Sequence, residues 1–65
     1  MSSYAVFHNN RQLRVFFYDP LIPGDWQRAE RLAVDFADKN HPCEVEQFHL
    51  SSTVGKTVYR TADAP

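Results

Sequence analysis

Asp25-Trp-Gln-Arg-Ala-Glu-Arg-Leu-Ala-Val-Asp-Phe-Ala-Asp-Lys39 is the stretch on which the fold turns. Ala29, Leu32, Ala33, Phe36 and Ala37 recur at the i, i+3, i+4, i+7 spacing of one helical face, while Arg28, Arg31, Asp35 and Asp38 point the other way. Asp25 reads as an N-cap, able to accept from the free amides of the first turn. Asn40 suits a left-handed C-cap, and Pro42 forbids continuation. A helix over 25–39 with a single apolar stripe needs a sheet beneath it.

Upstream, Tyr4-Ala-Val-Phe-His8 and Gln12-Leu-Arg-Val-Phe-Phe-Tyr18 are rich in β-branched and aromatic residues, with Asn9-Asn10 between them. Asn tolerates the left-handed backbone of a tight hairpin, so the segment predicts strand, turn and strand. Regular alternation in the second strand groups Leu13, Val15 and Phe17 on one face and Arg14, Phe16 and Tyr18 on the other. A two-residue turn pairs Val6 with Leu13 and Tyr4 with Val15; a three-residue turn pairs Phe7 with Leu13 and Ala5 with Val15. A slip of one residue reverses every side chain. The two-residue turn is preferred, because Tyr4 and Val6 fill more volume than Ala5 and Phe7 would beside Phe17. Two prolines and a glycine in Asp19-Pro-Leu-Ile-Pro-Gly24 end the strand.

Downstream, Cys43-Glu-Val-Glu-Gln-Phe-His-Leu50 alternates and then slips. A bulge near Glu46-Gln47 would bring Val45, Phe48 and Leu50 to one face. Residues 51–55 are turn-rich, 56–61 read as a last strand, and 61–65 as a frayed tail. The expected fold is one α+β domain over residues 1–65, in the order β-β-α-β-β: a four-stranded antiparallel sheet with one helix packed on one face.

Composition narrows the function. Of 65 residues, 43% are hydrophobic, and the formal net charge is −1. Leu, Ile, Val and Phe make up about a quarter of the chain, more than disordered chains usually carry. No run approaches the roughly 18 apolar residues of a membrane span. Met1-Ser-Ser-Tyr4 lacks the charged and apolar regions of a secretory leader, and the single cysteine, Cys43, allows no internal disulfide, so a cytoplasmic location is expected. Charge is uneven. Residues 1–18 hold Arg11 and Arg14 and no acid, whereas 19–48 hold seven acids against Arg28, Arg31 and Lys39.

The helix can cover only one face of the sheet, which leaves the other open to a partner. Regular alternation places Arg14, Phe16 and Tyr18 there, joined by Phe7 and by Tyr59 or Arg60. Exposed rings edged by arginine are what protein interfaces concentrate. The same chemistry serves single-stranded nucleic acid, where bases stack on rings and cations meet phosphates, although a net charge of −1 and the lack of a ribonucleoprotein strand signature weigh against it. A homodimer would also bury these rings.

Catalytic and metal chemistry find little support. His41, Cys43 and His49 fall short of the four ligands at recognised spacing that a stable zinc site wants. Cys43 follows a helix C-terminus, whose partial negative charge disfavours a thiolate. Glu44 and Glu46 share a strand face, where solvated acids resist edge aggregation. There is no phosphate loop, nucleophile elbow or dinucleotide fingerprint, and no cofactor is expected. The expectation is a small non-enzymatic protein that binds and occludes a surface of a larger protein. Inhibitors and regulators carried by phages and other mobile elements are often of this size, a CRISPR-effector inhibitor being one instance.

Overall fold

Asn9 and Asn10 take φ of 50° and 66°, the paired left-handed conformations of a two-residue hairpin turn. They join β1 (Ser2–His8) to β2 (Arg11–Tyr18) in a computed structural model that describes residues 2–50 and 53–61. After β2 come α1 (Asp25–Lys39), β3 (Glu44–Phe48) and β4 (Lys56–Arg60). The strands form one antiparallel sheet in the order β2-β1-β3-β4, with α1 across one face. The fold is α+β in the expected β-β-α-β-β order.

The hairpin has the expected two-residue turn, but its register does not stay regular. His8 faces Arg11 and Phe7 faces Gln12; a bulge then takes up Leu13, and the ladder resumes with Val6 opposite Arg14, Ala5 opposite Val15 and Tyr4 opposite Phe16. One extra residue reverses the parity of the rest of β2. Tyr4 and Val6 do point into the core, with no exposure, but their partners are Phe16 and Arg14 rather than Val15 and Leu13. The expectation that Arg14, Phe16 and Tyr18 lie on the open face is therefore corrected: all three lie on the helix side.

Beneath the helix sit Tyr4, Val6, Tyr18, Cys43 and Val45, packed on Ala29, Ala33 and Ala37. Three alanines along the buried stripe let α1 approach closely enough for tyrosine rings to fill the gap. Tyr4 and Tyr18 lie 5.2 Å apart, tilted by 33°. Phe16 meets Phe36 edge-on at 6.1 Å, and the Arg14 guanidinium lies 5.0 Å from the first ring and 5.6 Å from the second. Such a stacked cation contributes about 0.5–1 kcal/mol.

The helix ends depart from expectation. Gly24, at φ 82°, is the N-cap, and Asp25 is the first helical residue. The Asp25 carboxylate accepts instead from Arg28 Nε at 2.9 Å and from the Asp19 amide at 2.8 Å. Asn40 closes the other end at φ −119°, outside the left-handed region, by donating its backbone N–H to the Ala37 and Phe36 carbonyls and its Nδ2 to the Phe36 carbonyl at 2.8 Å.

The slip expected within β3 belongs to its neighbour. β3 alternates regularly against β1, and the irregularity falls in β4, where Val45 faces Tyr59 and Glu46 faces Thr57. Val58 is the extra residue, and both it and Tyr59 pack toward the core. Val45 and Phe48 consequently point to opposite faces. Thr61 is buried rather than frayed, exchanging hydrogen bonds with the Cys43 backbone at 3.1 Å. Residues 62–65 of the expected tail lie outside the described residues.

Candidate protein-binding face

The face turned away from α1 follows from the register, since directly paired residues share a side. At one end Phe17 and Phe48 flank Ser3; in the middle Val15 and Glu46 flank Ala5; at the hairpin end Phe7 stands beside Glu44, which in turn faces Arg60. The central strand contributes only small side chains to the first two rows. The larger residues of both neighbours lean over them, and Phe7 and Phe48 come to 6.5 Å ring to ring. Ser3 and Ala5 are buried as a result, although among the described residues no element covers this face.

Phe17 is the ring left standing free, at 56% exposure. Beyond it the strip continues to Leu50, also well exposed, whose amide donates to Ser2 Oγ at 3.0 Å. Ser2, Phe17, Tyr18, Asp19, Pro20, Asp25 and Leu50 line a cavity of about 560 Å3 at this end of the sheet. Gly55 passes close by: a Cβ there would lie 2.6 Å from both the Phe48 ring and Glu46 Oε1, so any larger residue would force those side chains or the β3–β4 connection to shift.

The six residues expected to form a binding set are thus divided. Phe7 and Arg60 do lie on the open face. Phe16, Tyr18 and Tyr59 pack against the core on the helix side, where Arg14 covers Phe16 and Phe36. Tyr18 receives a hydrogen bond from Gln47 Nε2 at 3.0 Å and lies 3.4 Å from His49 Nδ1. Tyr59 donates to Asp38 Oδ1 at 2.5 Å, and that bond, more than its partial burial, raises the phenol pKa. Phe17, Phe48 and Leu50 were missed as members of the face. The signal for the first two was present, because any bulge in the first half of β2 exchanges Phe16 for Phe17.

The electrostatics of the face are mildly acidic. Glu44 and Glu46 lie on it, with Arg60 Nε 3.8 Å from Glu44 Oε1 as an exposed pair worth at most about 1 kcal/mol. Arg14, Arg28 and Arg31 belong to the helix side or to the helix itself. Cys43 is buried, burial pushes its thiol pKa up, and its S–H donates to the Asn40 carbonyl at 3.0 Å. Among the described residues no three His, Cys, Asp or Glu side chains gather to hold a metal, and no helix is long and apolar enough to cross a membrane. No family model, curated protein or solved structure matches the chain.

Proposed function

We propose that this chain is a non-enzymatic protein-binding module, an inhibitor or regulator that works by covering a surface of a larger protein with the sheet face opposite α1. The observation that carries this reading is the Phe17 ring, more than half exposed within the apolar strip from Phe7 through Phe48 to Leu50. Burying the exposed half of such a ring stabilises an interface by about 1–1.5 kcal/mol.

Size supports a partner that takes the whole face. The molecule measures 34 × 22 × 15 Å, so its broadest side offers roughly 750 Å2, close to the ~800 Å2 per partner of a standard interface. Charge favours a foreign protein over the other candidates. Glu44 and Glu46 would repel a phosphate backbone, and two copies meeting face to face about the middle of the sheet would bring Glu46 toward its own counterpart.

Capture of a partner by immobilised protein tests the proposal. Phe17→Ser is expected to abolish capture while the variant stays folded by circular dichroism, and Arg31→Ala, on the outer surface of α1, is expected to retain it. Loss with Arg31→Ala and retention with Phe17→Ser would move the binding surface to the helix and end this reading.

A further inference from the structure

The cavity beside Phe17 brings apolar side chains and two carboxylates together. Phe17, Tyr18, Pro20 and Leu50 line it together with Ser2 and two acids, Asp19 and Asp25. The two acids are not equivalent. Asp25 is fully engaged, with Oδ1 accepting from Arg28 Nε at 2.9 Å and Oδ2 from the Asp19 amide at 2.8 Å. Arg28 is engaged as well, since its second nitrogen donates to the Phe17 carbonyl at 3.2 Å. This pair cancels, and it holds the Asp19 backbone in place.

Asp19 is left as the net charge of the cavity lining. Its Oδ1 accepts from the Leu21 amide at 2.9 Å, which fixes the carboxylate in a tight side-chain turn, and its Oδ2 has no partner among the described residues. A fixed carboxylate in a cavity otherwise lined largely by apolar side chains matches an amphipathic cation, one that lays a methylene stem on hydrocarbon and keeps its head at the surface. An anionic group would meet repulsion here, and a purely apolar one would leave Asp19 without a counter-charge. A bare divalent ion would find one free oxygen where it needs several.

We infer that this cavity receives a lysine or arginine side chain of the protein partner, with its stem against Phe17, Pro20 and Leu50 and its charged head at Asp19 Oδ2. The inference rests on the protein-binding reading above and adds the chemistry of the partner: an apolar surface edged by basic residues, complementary also to Glu46 in the middle of the face. One long side chain needs less room than the cavity's volume of about 560 Å3 offers.

Four tripeptides serve as probes: acetyl-Gly-X-Gly-amide with X as arginine, lysine, citrulline or norleucine, each titrated into the 15N-labelled protein. The arginine and lysine peptides are expected to shift the amide signals of Phe17, Asp19 and Leu50 with millimolar affinity. Citrulline, which keeps the shape of arginine without its charge, is expected to bind about fivefold more weakly, corresponding to an ion pair of about 1 kcal/mol. Asp19→Asn keeps an oxygen for the Leu21 amide and thus the turn; it is expected to lose the same factor toward arginine with an unchanged melting temperature. Equal binding of citrulline and arginine, full arginine binding by Asp19→Asn, or no shift from any peptide would each overturn the inference. If the peptides fail while Phe17→Ser still abolishes partner capture, the face remains the binding surface and only the basic side chain is lost.

Discussion

Tyr4 carries the clearest cost in the molecule. Its side chain is fully buried, yet its hydroxyl oxygen has no hydrogen-bond partner among the described residues. Burial drives the phenol pKa far above its ordinary value, and the charge of nearby Glu30 and the Tyr18 phenol push the same way. An unpaired buried hydroxyl costs about 1–3 kcal/mol, so Tyr4→Phe is expected to leave stability unchanged or raise it by about 1 kcal/mol in urea unfolding. A loss of 2 kcal/mol or more would mean that the hydroxyl has a partner. Asp25 gives the opposite case. The Arg28 hydrogen bond first, and the Asp19 amide second, hold its carboxyl below its ordinary pKa of 3.8. A group with a depressed folded pKa stabilises the fold above its unfolded pKa and loses that contribution as pH falls through the folded value. Wild-type stability should therefore fall more steeply below about pH 4 than that of Asp25→Asn, as thermal melts across pH 2–6 would read.

At the scale of elements, the β2 bulge decides which side chains meet the helix. Removing Leu13 leaves His8 opposite Arg11, Phe7 opposite Gln12 and every pair beyond the bulge in register. Deletion of Leu13 is thus expected to fold with the same core, whereas deletion of Phe17 makes Phe16 and Tyr18 adjacent, so that no register keeps both inward, and is expected to unfold the chain. Circular dichroism of the two deletions checks this. The same element shows what could be read from the chain beforehand. The extent of α1, the Asn9-Asn10 turn and the inward set Tyr4 and Val6 follow from periodicity and turn chemistry, both local signals. The bulge does not, because Gln12-Leu13-Arg14 contains no glycine or other local mark to separate it from plain alternation. A second such case is Val58 in β4, whose irregularity was assigned to Glu46-Gln47 because parity reveals that a slip exists but not which strand of the pair contains it. The N-cap was displaced by one residue for a related reason: Gly24 supplies the left-handed entry to the helix, and Asp25 is drawn to Arg28 and the Asp19 amide.

Across the whole molecule, the division between the two sheet faces explains both its stability and its proposed use. One helix shelters Tyr4, Val6, Phe16, Tyr18 and Val45, and the opposite side keeps Phe7, Phe17 and Phe48 as a thin aromatic layer over Ser3 and Ala5. Acids accompany that layer, while Arg14 and the helix arginines lie on the other side. The set of residues available to a partner depends on this inside-outside assignment of β2 more than on any other feature. Parallel thermal melts of Phe16→Ser and Phe17→Ser test it most directly. Phe16 packs against Phe36 and Arg14, so its replacement is expected to cost about 2–4 kcal/mol and lower the melting temperature by roughly 10 °C or more. Phe17→Ser, at an exposed ring, is expected to shift it by no more than a few degrees. The reverse order, with Phe17→Ser the more damaging, would contradict the account.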